Sequence, residues 1–243
     1  MSKKRYIYGI LILLIIWKCL NVFYDSRLIP DPLDTVIYAF SNLNALSVNS
    51  AYSMFRLLSA IVLVIIIGMP LGVLLGRSKK IDNIVSPVIY AIYPIPKIAF
   101  LSVIMLLFGL GNSSKIILIF FILIFQMVLS VRDGVKNIED EVYFSVYNLS
   151  LSKIQTFKHI IFPSILPNLF TSLRIGIATS FSVLFLAENY ATQYGLGYFI
   201  MDSWIMANYI RMFAGILAIS FWGSCLFLIV NLLERKLCKY NFI

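Results

Sequence analysis

Charged side chains are scarce in this chain. Only 13% of its 243 residues are charged, and 60% are hydrophobic, whereas soluble domains contain about a quarter charged residues. A chain of this composition cannot hide its apolar surface in one water-soluble core. The formal net charge of +9 is best explained by basic loops beside a membrane. No basic stretch alternates with a polar binding face, so nucleic acid is not an expected partner.

Residues that hold metals or form nucleophilic pairs are also scarce. The single histidine, His159, excludes a metal site built from several histidines. Cys19, Cys225 and Cys238 lie far apart and form no CxxC pair, which argues against disulfides or metal binding. Nothing resembles a nucleophile–base pair. We therefore expect no catalytic residue, no metal site and no cofactor bound by this chain.

Long apolar runs are abundant, and a bilayer-spanning helix needs roughly 20 such residues. Six candidates lie at residues 6–24, 55–76, 84–109, 116–131, 169–187 and 213–233. The first follows a basic start, as in a signal peptide, but no clean cleavage site follows it. We expect an uncleaved membrane helix there, with a cleaved signal as the alternative. The pattern predicts an all-α membrane protein with about six transmembrane helices.

Basic residues predict the orientation of these helices. With the N-terminus inside, thirteen basic residues fall on inner segments and three on outer segments, which is a positive-inside bias. Both termini are then cytoplasmic. After the first helix (1–24) we expect an external loop at 25–53, either plain or with a short interfacial helix. A membrane core with five further helices follows at 54–234, including a cytoplasmic hairpin at 137–167, and then a cytoplasmic tail at 235–243.

The hairpin at 137–167 is polar and is typical of a docking element. Glu139, Asp140 and Glu141 open its first helix, where acidic residues complement the helix dipole. That helix is predicted to reach about Leu149, before Ser150-Leu-Ser152 breaks it. Docking to a cytoplasmic ATPase and lying on the membrane surface are both open interpretations of this segment.

A second hairpin helix is predicted from Lys153, because Ser152-Lys-Ile-Gln155 fits a capping box. Four apolar residues of this helix share one face and are expected to pack on the bundle; they are Ile154, Phe157, Ile160 and Ile161. Pro163 and Pro167 are expected to end the helix before the next membrane span.

Prolines interrupt the third apolar run at Pro87 and at Pro94-Ile-Pro96. Proline removes a backbone donor and kinks a helix, and broken membrane helices persist where they are buried or line a cavity. Pro94 and Pro96 are therefore candidates for the lining of a pathway, although prolines also occur in membrane helices without such a role.

Several polar residues within the apolar runs have more than one interpretation. Arg56 could attract an anion or extend to lipid headgroups. Lys97 could pair with Glu188, neutralise an anion in transit or contact substrate directly. Glu188 could form a gate or an ion pair, or be an ordinary interfacial acid. Arg174 could be a pathway cation or a headgroup anchor, and Ser180 belongs to a polar strip that lines the pathway or bonds helices together.

An ordered set of short stretches resembles a known family over nearly the whole chain. The stretches are Leu28-Ile-Pro30-Asp-Pro32, Gly68-Met-Pro70-Leu-Gly72-Val-Leu-Leu-Gly76, Tyr93-Pro94-Ile-Pro96, Phe108-Gly109-Leu-Gly111-Asn-Ser-Ser-Lys115, Val131-Arg132, Ile160-Ile-Phe-Pro163, Leu173-Arg174-Ile-Gly176, and Ala187-Glu188 with Gly195-Leu-Gly197-Tyr198. In this order and spacing, the chain resembles permease subunits of ATP-binding-cassette importers. It is most similar to the branch for nitrate, sulfonates, taurine and thiamine-pyrimidine precursors.

The resemblance implies a type I importer permease fold with a coupling motif in the hairpin. Ser150 stands where the family has glycine, and Phe144-Ser145-Val146 stands where it has Glu-Ala-Ala. The residues implied to couple to the ATPase are Glu141, Phe144, Ser145, Val146, Leu149, Ser150, Leu151, Ser152, Ile160 and Pro163. The resemblance places the acid Glu188 beside the flexible outer segment of Gly195 and Gly197, and all three are pathway candidates.

The resemblance also implies partners. They are a second permease copy, most simply an identical one, ATPase subunits that hold ATP and magnesium, an extracytoplasmic binding protein and the lipid of a bacterial cell membrane. We keep two alternatives. A secondary transporter or channel is disfavoured by sparse membrane acids, and a membrane-embedded enzyme by the missing acid cluster and the single histidine.

Overall fold

The computed structural model describes residues 3–24, 27–139, 141–143 and 151–238. Every regular element in these ranges is helical, which confirms the predicted all-α class. The helices are α1 (Lys3–Phe23), α2 (Pro32–Ser41), α3 (Leu43–Arg77), α4 (Lys79–Ile92), α5 (Leu101–Phe108), α6 (Asn112–Lys136), α7 (Lys153–Thr156), α8 (Phe162–Glu188), α9 (Leu196–Ile205) and α10 (Tyr209–Leu237). A 3₁₀ turn at Lys97–Phe100 precedes α5, and a π-helical turn at Phe157–Ile161 joins α7 to α8.

Four helical stretches are long and apolar enough to cross a membrane; they are Leu43–Arg77, Asn112–Lys136, Lys153–Glu188 and Tyr209–Leu237. A fifth crossing is formed if α4 and the stretch Lys97–Phe108 are one bent span. In α1 the apolar stretch among the described side chains is Leu11–Phe23. The crossing of the membrane by α1, and the cytoplasmic location of both termini, stay predictions.

The predicted external segment at 25–53 is mostly helical where the structure describes it. Asp31 is the N-cap of α2, and its side chain accepts a hydrogen bond from the Leu33 amide. Pro32 occupies the first turn of α2, where its missing N–H costs nothing. Helix α3 then begins at Leu43, well before the apolar run that predicted it.

The bend in the third apolar run follows the prolines that predicted it. Helix α4 ends at Ile92, the chain turns through the exposed Pro94 and Pro96, and helical structure resumes at Lys97. The two helical parts are inclined at 83°. Proline cannot donate to the preceding turn, so two prolines two positions apart account for a bend rather than a gentle curve.

The start of the second hairpin helix is as predicted, but its end is not. Ser152 and Gln155 form both hydrogen bonds of a capping box. The helical stretch then continues from Lys153 to Glu188, so the expectation that Pro163 and Pro167 end it is wrong. Pro163 follows the π-helical turn Phe157–Ile161, whose wider backbone accommodates a residue that lacks an N–H.

The chain forms two compact units. The first comprises Met1–Met54 with Glu188–Trp222. Its core contains Leu46 of α3 with Leu196 and Phe199 of α9. The Trp17 indole donates to the carbonyl oxygen of Pro30, which connects α1 to the turn before α2.

The second unit comprises Phe55–Ala187 with Gly223–Ile243. Its core includes Leu75, Ile89, Ile124 and Val128 of helices α3, α4 and α6. Many large apolar side chains elsewhere are exposed, as expected for helices that face lipid.

Three glycines allow α3 to pack closely on α6 in the second unit. A Cβ atom at Gly68 would lie 3.0 Å from the side chain of Met127, and one at Gly72 would lie 2.7 Å from Cβ of Val131. At Gly76 the nearest atom is Cβ of Val135, at 2.5 Å. Small residues every four positions let membrane helices approach backbone to backbone. This glycine seam is a structural role that the sequence interpretation did not assign.

Candidate functional site

Half of the predicted coupling residues lie within the part of the chain that the structure describes. Glu141 is exposed in a helical turn at 141–143, and Leu151 is half-buried just before the capping box. Ser152 is the exposed N-cap, Ile160 is half-buried and Pro163 is exposed. Five predicted coupling residues, Phe144, Ser145, Val146, Leu149 and Ser150, lie outside the described residues.

The apolar face of the second hairpin helix packs only at one end. Ile161 is fully buried and Phe157 and Ile160 are half-buried, whereas Ile154 is 79% exposed. The prediction that all four apolar residues pack on the bundle is therefore wrong for Ile154. Ile154 lies in the first turn of the helix, which the capping box fixes. An apolar side chain is thus presented outward next to Leu151.

Glu188 anchors a buried hydrogen-bond cluster in the first unit. Its carboxylate is completely buried, and its two oxygens lie 2.8 and 2.9 Å from the Ser53 hydroxyl, which donates to it. The Gly197 amide donates to the same carboxylate at 2.8 Å. A carboxylate beside the first amides of α9 is stabilised by charge-assisted hydrogen bonds and by the helix dipole.

The two preceding amides of the Gly195-Leu-Gly197 segment are also bound by α3. Gly195 donates to Oδ1 of Asn49, and Leu196 donates to the Ser53 hydroxyl, both at 2.8 Å. Three successive amides therefore have acceptors on Asn49, Ser53 and Glu188. Gly195 has φ +144°, and a Cβ atom there would overlap the Glu188 carboxylate. Only glycine fits this position without strain.

The structure thus brings Glu188, Gly195 and Gly197 together with Asn49 and Ser53. The role of the three predicted residues in a pathway or gate stays a prediction. The cluster holds a buried charge and fixes the start of α9. The sequence signal for Ser53 was weak, since a serine in an apolar helix is common.

Lys97 makes its contacts close to the proline bend. Its amine donates to the carbonyl oxygen of Tyr93 at 2.7 Å and lies over the rings of Tyr93 and Phe125. Cation–π contacts of this kind stabilise a partly desolvated ammonium. The proposed pairing of Lys97 with Glu188 stays a prediction.

Arg56 is buried rather than extended towards headgroups. It is 3% exposed, and its Nε donates to Oδ1 of Asn112 at 2.8 Å. Asn112 is the first residue of α6, so this contact ties α3 to the start of α6. The headgroup interpretation of Arg56 is therefore wrong.

Arg174 and Ser180 have local roles in the second unit. Arg174 forms an ion pair with Glu234 of α10 and donates to Thr171 of its own helix. The choice between a pathway cation and a headgroup anchor for Arg174 stays a prediction. The buried Ser180 hydroxyl donates to the carbonyl oxygen of Gly176, one turn earlier, which satisfies the hydroxyl within α8.

A buried ion-pair network at the other end of α6 was not predicted. Nη1 of Arg132 lies 3.5 Å from Asp82 and donates to the Ser86 hydroxyl, while Nη2 donates to the Tyr90 hydroxyl. Asp82 also accepts from Lys136 at 2.5 Å. Arg132 and Asp82 are both buried. Their positions fifty residues apart, on different helices, left no signal in the sequence beyond the family stretch Val131-Arg132.

No group of three or more histidine, cysteine, aspartate or glutamate side chains lies close enough to hold a metal ion in the part of the chain that the structure describes. The arrangement provides anchored helix ends, a bent span and a capped hairpin helix.

Comparisons with known proteins agree with this architecture. Residues 68–239 match the family described as binding-protein-dependent transport system inner membrane component. The taurine transport system permease protein TauC of Escherichia coli (strain K12) is 30% identical over 191 residues, covering 79% of this chain and 70% of TauC. The putative aliphatic sulfonates transport permease protein SsuC of Bacillus subtilis (strain 168) is 26% identical, covering 99% of this chain and 90% of SsuC.

A more distant relative and a solved structure extend the comparison. The formylaminopyrimidine transport permease protein ThiX of Halalkalibacterium halodurans is 25% identical, covering 95% of this chain and 93% of ThiX. A structure of the MetNI methionine ABC transporter in an inward-facing conformation has a TM-score of 0.67 at 16% identity, covering 76% of this chain and 93% of the matched chain. That likeness shows the type I permease fold. From the extent of the family match, this chain belongs to the binding-protein-dependent transport system inner membrane components, the permeases of ABC importers.

Proposed function

We propose that this chain, with a second identical copy, forms the translocation pathway of an ABC importer in a bacterial cell membrane, and that the hairpin at 137–167 couples it to a cytoplasmic ATPase. The observation that carries the coupling role is the capped helix start at Ser152, which continues without interruption into a membrane-spanning stretch. Force applied at the hairpin is thereby delivered to a long helix of the bundle.

The exposed Ile154 supports the location of the ATPase contact. It is 79% exposed on a helix whose first turn is held by both capping-box hydrogen bonds. Apolar side chains presented on a pre-ordered helix are suited to fill a hydrophobic groove on a partner. Ile154 lies two positions after the predicted coupling residue Ser152, and we include it among the coupling residues.

The mechanism is the one that the family membership implies. The ATPase subunits hold ATP and magnesium, and this chain performs no hydrolysis. Closure of the two ATPase subunits draws the paired hairpins together, and the permease opens outward by a rigid-body shift. A separate binding protein delivers substrate to the outer face, and hydrolysis returns the permease to its inward-facing state.

We propose a small organic or inorganic anion, or a thiamine or pyrimidine precursor, as the substrate. Support comes from relatives named for taurine, aliphatic sulfonates, nitrate and formylaminopyrimidine. The assignment is tested by measuring uptake of each compound in cells that express this chain with its binding protein and ATPase, with and without each subunit.

The coupling proposal is tested by purifying the tagged chain in mild detergent and quantifying the ATPase that remains bound. Ile154→Asp is expected to reduce the bound ATPase at least tenfold, since a buried charge opposes docking of an apolar anchor. Lys158→Asn is the matched control, because it changes the charge by the same amount on an exposed residue four positions along the same helical stretch.

The two variants distinguish the possible outcomes. ATPase loss with Ile154→Asp and retention with Lys158→Asn support coupling through this surface. Retention of the ATPase by both variants contradicts the placement of the contact. A folded native chain that carries no ATPase at all contradicts the coupling role of the hairpin.

A further inference from the structure

A basic cavity lies where three helices of the second unit end on the same side. It has a volume of about 560 Å³, within the range of roughly 300–1,000 Å³ for small-ligand pockets. Its wall includes Arg77 from the end of α3, Lys79 from the start of α4 and Lys136 from the end of α6. Asp82 is its acidic wall residue.

The charges in this cavity do not cancel. Asp82 is already paired with Lys136 at 2.5 Å and with Arg132 at 3.5 Å. Arg77 and Lys79 are exposed, and neither has an ion pair within the part of the chain that the structure describes. Among the described residues, the wall therefore carries two cations that have no ionic partner. Glu139 and Glu141, at the base of the hairpin, are not among the residues that line it.

The surroundings of the cavity select an anion that also carries apolar chains. Arg77 is the last residue of a membrane-spanning stretch, so the cavity lies at the edge of the apolar region. One turn before Arg77 on the same helix, Leu74 is 47% exposed. An anionic head in the cavity, with hydrocarbon along the end of α3, is the arrangement of a phospholipid.

We propose that the cavity lined by Arg77, Lys79 and Lys136 binds the headgroup of an anionic phospholipid. Arg77 and Lys79 contact the lipid phosphate, as basic pockets between membrane helices do. The wall also includes Ile138 and Tyr143, so the bound lipid supports the base of the hairpin. This last consequence rests on the proposed coupling function, whereas the binding does not.

The test is native mass spectrometry of the full-length chain purified into detergent with phosphatidylglycerol or phosphatidylcholine added. One phosphatidylglycerol molecule is expected to stay bound to the unaltered chain. Arg77→Gln with Lys79→Gln is expected to weaken retention at least tenfold, since each cation near a membrane contributes about fivefold. Arg235→Gln with Lys236→Gln is the matched control, because it removes two exposed cations from the last turn of α10, and it is expected to leave retention unchanged.

Two further measurements, on the Arg77→Lys variant and with added inorganic phosphate, identify the ligand. Arg77→Lys keeps the charge and is expected to retain the lipid, which separates electrostatic loss from misfolding. Equal retention of phosphatidylcholine, or equal loss in the Arg235/Lys236 control, overturns the proposal. Inorganic phosphate at millimolar concentration is expected not to displace the lipid, because it lacks the apolar chains. Complete displacement by phosphate overturns the lipid assignment, whether or not the ATPase co-purifies with the chain.

Discussion

Ser53 and Glu188 are 135 positions apart, and the Ser53 hydroxyl lies within 2.9 Å of both carboxylate oxygens of Glu188. The hydroxyl also accepts from the Leu196 amide. One serine therefore connects the carboxylate to the first turn of α9. Since all three groups are buried, removal of any one leaves a polar group without its partner inside the protein.

Removing the two side chains of this pair is expected to be non-additive. Glu188→Ala and Ser53→Ala should each destabilise the protein by roughly 1–3 kcal/mol, because buried donors lose their acceptors. The double variant should cost less than the sum, as contacting residues couple by about 0.5–3 kcal/mol. The measurement is unfolding by SDS titration in mixed micelles, with the exposed Asp34→Ala as control. Strict additivity of the two substitutions would contradict the cluster.

Substituting Gly195 is expected to be far more harmful than substituting a glycine in open space. Gly195→Ala forces φ +144° on an alanine and places its Cβ against the Glu188 carboxylate. Backbone strain of this kind alone costs about 1–3 kcal/mol. Gly111→Ala is the control, since Gly111 has φ −81° and no atom within 4 Å of the added Cβ. The yield of monodisperse protein after heating measures the loss of stability in each variant. Similar yields for Gly195→Ala and Gly111→Ala would refute the strain argument.

The glycine seam predicts sensitivity to a single methyl group. Gly72→Ala places Cβ 2.7 Å from Cβ of Val131 and 2.8 Å from the Val128 carbonyl oxygen, so the helices must separate. Overpacking of this kind costs roughly 1–3 kcal/mol. Gly9→Ala, with nothing within 4 Å, should be neutral. SDS-titration midpoints of both variants measure the difference, and an unchanged midpoint for Gly72→Ala would show that the seam can relax.

Asp82 and Arg132 should behave as a coupled buried pair. Asp82→Asn leaves the buried Arg132 with Asp133 of its own helix as its acidic partner and with none on α4, and breaking a buried pair costs up to about 3–5 kcal/mol. Adding Arg132→Met should restore part of that loss, because it removes a buried charge that has lost one of its two carboxylates. Unfolding midpoints of the single and double variants test this. A double variant that is less stable than Asp82→Asn would be the contrary result.

Asp31 predicts a dependence of stability on pH. Hydrogen bonds from Lys18 and from the Leu33 amide hold the pKa of the Asp31 carboxyl below its usual value. A lowered pKa in the folded state contributes stability above the unfolded value of about 3.9, and this is lost as the pH falls through the folded pKa. The chain should therefore be more stable than Asp31→Asn at neutral pH, with the difference vanishing in acid. Melting temperatures of both proteins from neutral to acidic pH measure this, and a constant difference would contradict it.

Local patterns in the sequence predicted local structure well. The capping box at Ser152 and Gln155 depends on four adjacent residues, and the bend at Pro94 and Pro96 follows from missing amide donors. Five of the six apolar runs correspond to the four long apolar helices and the bent pair, because burial of backbone polar groups in lipid leaves few alternatives to helices. The failure at Pro163 has an equally local cause, since a π-helical turn has no sequence signature as clear as proline itself.

Contacts between segments that are distant in the sequence could not be predicted from the sequence. Glu188 was placed near Gly195 and Gly197 because all three lie within ten positions, but Asn49 and Ser53 belong to another helix. The partnership of Arg132 with Asp82 depends on how α4 packs against α6, which no periodicity encodes. The glycines of the seam were visible at four-residue spacing, yet their partner helix was identified only by the structure.

The closeness of α3 and α6 has a mechanical consequence for a protein that must move. At Gly72 and Gly76 an added carbon would lie within 2.9 Å of backbone oxygens of α6, so neither lipid nor water separates the two backbones. Helices in such contact cannot slide or part by small steps without losing the contact altogether. The pair therefore serves as a fixed frame. Gates must open at other interfaces, and a covalent link across this seam should leave transport intact.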